Sequence, residues 1–183
     1  MSISVATIII PCIKNNDILY ECLDKCSKLS SEIDIIVMTE DEIPVNNKYE
    51  NVKFINAGNV NMSRKRNIAV SGSQTKYVAF IDSDAYPNKK WLKLAAKYLK
   101  QGIADVIGGP GMPFPNEEYK EKICYLSKRS YFVTGYLSFR KYKAKKRYCD
   151  WLEACNLIME RNFFLKYKGM DENRYTGEDK EFF

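Results

Sequence analysis

The chain of 183 residues contains no histidine. That absence excludes a histidine-based triad, histidine acid–base chemistry and histidine metal ligation within this chain. Its six cysteines include no CxxC spacing. The opening stretch, "MSISVATIIIPC", lacks a basic n-region and reads as a first strand, not as a signal peptide. With no export signal beside them, the cysteines read as reduced thiols of a cytosolic protein. Cys22 and Cys26 stand one helical turn apart, but no second pair is near enough to make a zinc site with them. No apolar run approaches the roughly 20 residues needed to cross a bilayer. There is no internal repeat and no linker long enough to separate domains.

What is present is a chain of 45% hydrophobic and 28% charged residues, enough for one domain with a sizeable core. Lysine and arginine outnumber the acids 29 to 23, a net charge of +6. That balance favours an anionic partner without choosing among nucleotides, phosphorylated carriers, nucleic acid and a membrane surface.

Strand and helix signals alternate through about residue 108. "SVATIIIP", "EIDIIVMTE", "VKFINA", "KYVAFID" and "ADVIGG" read as strands, the first two as continuous apolar runs. "DILYECLDKCSKL" and "NKKWLKLAAKYLKQG" carry apolar residues at helical spacing, and Ser63 is the expected cap of a short helix that Gly72 closes. The alternation implies a mostly parallel sheet with helices on both faces, whose ligands bind beyond the carboxyl ends of the strands. After the Gly/Pro loop "GGPGMPFP" the pattern changes. A helix is expected over roughly 116–130, then an aromatic and basic stretch, then a tail with an apolar segment, a short helix and an acidic end.

Three constellations could carry chemistry. In "YVAFIDSDAYP" a buried-looking strand ends in Asp82 and Asp84. Two carboxylates this close repel unless something positive lies between them, and a hard divalent cation is one solution. The plainer reading has Asp84 cap a helix beginning near Pro87. In "SRKRN", Arg64, Lys65 and Arg66 crowd the first turn of a helix, where the dipole disfavours cations. They suit a bound phosphate, or they form a solvated basic face. In "GEDKEFF", Glu178 and Asp179 follow a glycine. One of them could serve as a general base, or both are simply solvated.

The order of these stretches is more specific than any one of them. "IIIP", "IIVMTE", "NMSRKRNIAV", "VAFIDSDAYP" and "NLIMERNFFLKYKGMDENRYTGED" together resemble the family 2 glycosyltransferases of the GT-A fold, over nearly the whole chain. The resemblance implies an α/β, Rossmann-like GT-A catalytic domain over residues 1–183. Residues 1–108 would be the nucleotide-sugar-binding half and 109–183 the acceptor side. It implies that Asp84 coordinates Mn²⁺ or Mg²⁺ on the donor diphosphate and that Asp82 assists or contacts the donor. Ser83, Glu40, Lys65 and Arg66 would lie near the nucleotide, with Pro11 and Ile13 in the base pocket. Asp179, with Glu178, would deprotonate the acceptor hydroxyl, and the anomeric configuration would invert. Trp151, Glu153 and Asn156 would line the acceptor side, against the plainer readings of Trp151 as core and Glu153 as a surface acid. The implied partners are a nucleotide-sugar and a glycan or lipid-linked acceptor.

Two departures from the family pattern matter. The family's second strand often ends in a pair of aspartates, the first of which reads the base; here Thr39 and Glu40 stand there, with Asp41 next. A uridine diphosphate donor is the first expectation. The sequence also ends at Phe183, directly after the E-D pair, where family members continue, so a C-terminally shortened domain or a minimal enzyme is expected. The segment 138–148, "SFRKYKAKKRY", has six Lys/Arg among aromatics. It reads as a solvated loop, a lid or acceptor surface, or a contact with a membrane or nucleic acid. The expected setting is the cytoplasm or the cytoplasmic face of the membrane, with no nucleic acid bound. Two rival functions remain. A sugar-phosphate nucleotidyltransferase would carry a glycine-rich loop after the first strand, which "PCIKNND" is not. A basic binding module for nucleic acid or anionic lipid would leave Asp82, Asp84 and the E-D pair unexplained.

Overall fold

Every residue of "ATIIIP" is buried, which an isolated amphipathic strand could not achieve and a central strand covered on both faces must. In the computed structural model, which describes residues 6–30, 33–45, 48–114, 118–174 and 177–182, this stretch is the strand β1, Ala6–Pro11. It is followed by α1 Asp17–Ser27, β2 Asp34–Thr39, β3 Val52–Asn56, α2 Met62–Gly72, β4 Tyr77–Ile81, α3 Trp91–Lys100 and β5 Val106–Gly108. Then come α4 Tyr119–Arg129, α5 Tyr131–Thr134, a 3-10 turn Gly135–Lys141, β6 Asn156–Glu160, α6 Arg161–Lys166 and α7 Glu178–Glu181. The expected strand residues 4, 5 and 32 and the first two residues of the expected helix 116–130 lie outside the described residues.

The chain forms two compact units, Met1–Gly108 with Trp151–Phe183, and Gly109–Asp150. The first unit holds a six-stranded sheet of order β3-β2-β1-β4-β6-β5. β1 pairs in parallel with β2 and β4, and β2 with β3. The expected α/β architecture, a mostly parallel sheet flanked by helices, is therefore the one adopted. β6 departs from it. It runs antiparallel to both neighbours, placing Asn156 opposite Ile81 and Ile158 opposite Ile107. The sequence marks this stretch only as apolar, because a five-residue buried run carries no sign of its direction.

Alternation along the strands sorts the core into two layers. Ile8, Ile10, Tyr77, Ala79 and Ile81 pack toward Leu19, Cys22, Leu23 and Cys26 of α1 and Leu92, Ala95 and Leu99 of α3. Ile9, Val78, Phe80, Leu157 and Met159 pack toward Ala69 and Val70 of α2 and Phe164 of α6. Thr7, buried on β1, has its hydroxyl satisfied by Thr75 Oγ1 at 2.7 Å.

The second unit, described by itself, is built differently. Neither α4 nor α5 has a buried residue, and in the 3-10 turn only Ser138 is buried. Local devices hold it: a capping box between Glu118 and Glu121, the Gly111 N–H donated to the Arg140 carbonyl at 2.9 Å, the Tyr125 hydroxyl donated to the Lys141 carbonyl, and Arg147 over the Phe139 ring at 4.6 Å.

A loop after α6 fastens to the middle of α2. Asn67 Oδ1 accepts from the Met170 N–H and its Nδ2 donates to the Met170 carbonyl, both at 2.9 Å. Gly169 makes the close approach with φ +74°; a Cβ there would stand 2.4 Å from Asn67 Oδ1 and 3.0 Å from a ring carbon of Phe164. Gly169→Ala should therefore lower unfolding free energy by about 2–4 kcal/mol, from backbone strain plus a displaced amide clamp. Urea denaturation checks this, and a loss under roughly 1 kcal/mol would mean that the loop yields without cost.

Candidate active site

The first helical turn after β3 sets the site. Asn61, not the expected Ser63, caps α2: its side-chain oxygen accepts the Arg64 N–H at 2.9 Å, and its Nδ2 donates to the Glu172 carbonyl at 2.5 Å. Ser63, Lys65 and Arg66 of this helix face inward, and all three are buried. The three cations of "SRKRN" therefore do not form one solvated basic face. Each meets a carboxylate. Arg64, exposed, pairs with Glu172 at 3.5 Å. Lys65, with no exposed surface, donates to Glu40 Oε1 and to the Cys12 carbonyl, both at 2.7 Å. Arg66, 3% exposed, donates through Nη1 to Glu178 Oε1 at 2.9 Å and through Nη2 to Asp82 Oδ1 at 3.1 Å.

Arg66 thereby joins two of the three constellations. Asp82 stands at the carboxyl end of β4, and Glu178 opens α7. Asp179 is tied to the same wall, with Oδ2 accepting the Ala154 N–H at 3.2 Å. Asp84 is exposed and does not cap α3. That helix starts at Trp91 behind Lys90, and the Asp82–Ala85 stretch is a turn closed by the Ala85 N–H to the Asp82 carbonyl at 3.1 Å. Burial pushes the Asp82 carboxyl above the ordinary aspartate range, Asp84 and Glu178 push the same way, and Arg66 opposes them. The Asp82 side chain keeps 42% exposure, so water still reaches its outer edge.

Beside this cluster lies a cleft of about 360 Å³ lined by Cys12, Ile13, Lys14, Asn16, Met62 and Ser83, at the ends of β1 and β4. Pro11 is buried at the foot of that wall. The end of β2 is braced next to it. Asp41 Oδ2 accepts the Asn15 N–H at 2.7 Å, and the Asp41 N–H bonds Thr39 Oγ1 at 3.0 Å. Burial raises the Cys12 thiol above its usual range, which keeps it protonated and inert. Trp151 and Glu153 are half-buried, and Asn156 Oδ1 accepts the Trp91 indole N–H at 2.7 Å. Among the described residues, no three of histidine, cysteine, aspartate and glutamate gather as a metal-ligand set.

Sequence reasoning singled out Arg66, Asp82 and Glu178 but not the bridge between them. It also missed the clamp that Asn67, the last residue of "SRKRN", makes with Met170, and the Asn61 cap, an asparagine preceding the basic run.

The Lys65–Glu40 pair yields an ordered expectation. Glu40 keeps 23% exposure and can rehydrate, whereas Lys65 cannot. Glu40→Ala should cost about 3–5 kcal/mol by stranding a buried ammonium, and Lys65→Met distinctly less. Urea melts of both variants decide it, and equal or reversed costs would refute the burial argument. Asp82 adds a pH signature. Its folded pKa lies above the unfolded value of about 3.9. Its stability contribution is full below that value and lost as pH rises through the folded one. As pH rises above the unfolded value, wild type should lose stability relative to Asp82→Asn; a difference that stays constant with pH would contradict the shift.

Comparison with known proteins places this geometry. The family model "Glycosyl transferase family 2" matches residues 7–158. Two curated relatives, the poly(ribitol-phosphate) beta-N-acetylglucosaminyltransferases TarS of Staphylococcus aureus strains Mu50 and MW2, are each 26% identical over 132 residues, covering 63% of this chain and 23% of theirs. The chain thus spans about a quarter of the length of these relatives. Among solved structures, S. aureus TarS 1-349 in complex with UDP-GlcNAc superposes with a TM-score of 0.67 at 18% identity, covering 97% of this chain and 51% of that one. The mannosyltransferase PcManGT from Pyrobaculum calidifontis in complex with GDP-Man and Mn²⁺ gives 0.65 at 12% identity, covering 97% and 50%. Those likenesses carry the GT-A fold. With the family model matched over most of its length, the chain belongs to glycosyl transferase family 2.

Proposed function

We propose that this chain is the catalytic domain of an inverting glycosyltransferase. It moves a sugar from a nucleotide-sugar, a uridine diphosphate donor first, to a hydroxyl of a glycan or lipid-linked acceptor. The observation that carries the reading is Arg66, which holds Asp82 of the D-x-D turn and Glu178 of the E-D pair on one guanidinium. An accidental D-x-D and a solvated acidic tail would have no reason to converge there. The solved relatives bound to UDP-GlcNAc and to GDP-Man with Mn²⁺ support a nucleotide-sugar donor.

In this reading the cleft above Pro11, with Ile13 and Ser83 on its wall, takes the nucleoside. Lys65 acts from beneath, fixing Glu40 where the base is read. Asp84 and Asp82 offer two carboxylates, the donor set a hard cation shares with a diphosphate. They would hold Mn²⁺ or Mg²⁺, which neutralises charge on the leaving diphosphate. Arg66 holds Asp82 and the E-D segment in register. Asp179 takes the proton of the acceptor hydroxyl. The acceptor oxygen bonds to the anomeric carbon, and the bond from that carbon to the diphosphate oxygen breaks, its electron pair leaving with the diphosphate. Attack opposite the leaving group inverts the configuration. Trp151, Glu153 and Asn156 belong to the acceptor side.

Thermal melts against a panel of nucleotide diphosphates and nucleotide-sugars, with Mn²⁺ and with EDTA, test this reading. One nucleotide should raise the melting temperature in a metal-dependent way. Asp84→Ala should abolish that shift. Asp179→Asn should keep it while transfer falls by about 10²-fold or more. Absence of any shift in wild type, or full transfer by Asp179→Asn, would overturn the assignment.

A further inference from the structure

The chain's charge is distributed unevenly. Residues 109–150 hold ten Lys/Arg against four Asp/Glu, a net +6, which is the whole net charge of the protein; the remaining residues balance at nineteen of each sign. The same segment leaves its apolar side chains in solvent. Phe132 is 100% exposed, and Tyr131, Val133 and Tyr136 around it are each more than 60% exposed. Tyr119, Ile123 and Leu126 share one stripe of α4 by their i, i+4, i+7 spacing, and all three are exposed.

We propose that this unit docks the protein on an anionic lipid bilayer. Aromatic and aliphatic side chains set among lysines are the composition of a helix that lies in the headgroup region, with the rings at the interface and the cations on phosphate. A nucleic acid would use the cations and could stack bases on the rings, but it gives no use to the exposed aliphatic side chains Val133, Ile123 and Leu126. A protein partner fits poorly, because lysine is depleted from protein interfaces. Lys143, Lys145, Lys146 and Arg147 continue the basic surface, all exposed, so cations flank the apolar residues on both sides in sequence. The proposal does not rest on the glycosyltransferase reading, since binding to lipid needs neither donor nor acceptor.

Co-sedimentation of the full chain with vesicles of phosphatidylglycerol and phosphatidylcholine in equal parts, and with phosphatidylcholine alone, tests it. Partition should be about tenfold or more stronger on the anionic vesicles and should weaken as salt rises from about 0.05 to about 0.5 M. Phe132→Asp and Val133→Asp, at exposed positions that leave the fold intact, should each lower partition severalfold with unchanged melting temperature. A Lys143→Glu, Lys145→Glu, Lys146→Glu triple variant should lower both partition and its salt dependence. No partition onto anionic vesicles overturns the proposal, as does partition indifferent to lipid charge. Loss on charge reversal with no effect of Phe132→Asp or Val133→Asp would instead assign the surface to a soluble polyanion such as RNA. Concentration-dependent self-association abolished by Phe132→Asp would assign it to a second copy.

Discussion

Two positive charges sit inside α2 with almost no access to water, and the layout of the site follows from the need to neutralise them. A buried ammonium or guanidinium is costly unless counter-charges meet it. Lys65 obtains them from the ends of β1 and β2, through the Cys12 carbonyl and Glu40. Arg66 obtains its counter-charges from the end of β4 and from α7, through Asp82 and Glu178, while its Nε is buried without a hydrogen-bond partner among the described residues. Four separate segments are thereby drawn to one edge of the sheet by adjacent residues of one helix. The two side chains can diverge because consecutive helical positions point about 100° apart.

The arrangement also explains how a four-residue helix holds its place. α7 is too short to be stable alone. It is pinned by the Glu178–Arg66 and Asp179–Ala154 contacts and by Phe182, whose ring stacks on Phe164 at 5.2 Å. Phe164 in turn packs on Phe80, two residues before Asp82. The acidic pair and the D-x-D turn thus share a polar tie above the sheet and an aromatic tie within it.

Much of this fold was legible in the chain. The apolar runs of β1 and β2 announced a covered parallel sheet, and the amphipathic periods of α1 and α3 announced the helices on one face. The direction of β6 was not legible, because pairing partner and polarity are tertiary facts that five apolar residues do not encode. The inward turn of Lys65 and Arg66 was hidden for a related reason. Propensity and charge place lysine and arginine outside. The carboxylates that let them face inward, Glu40, Asp82 and Glu178, lie on other segments of the chain. The motifs survived this error because their spacing reflects the bridge, while the usual meaning of a basic run does not apply to it.

One consequence bears on the donor. Outside residues 109–150 the two signs of charge are equal in number, and the cations of α2 already have partners: Arg64 with Glu172, Lys65 with Glu40, Arg66 with Asp82 and Glu178, which leaves Lys14 on the cleft wall as a cation facing the ligand. A diphosphate entering beside Asp82, Asp84 and Glu178 would therefore meet a surplus of negative charge. Burial already disfavours the ionised form of Asp82 without a ligand present. Adding more negative charge would push it further in that direction. A divalent cation arriving with the diphosphate reverses the sign of that interaction, favouring both carboxylates in their charged state. In the proposed reaction a divalent cation would offset the charge of this cluster, in keeping with the D-x-D pattern. That offset makes donor and cation mutually dependent, each supplying the charge that the other's binding requires.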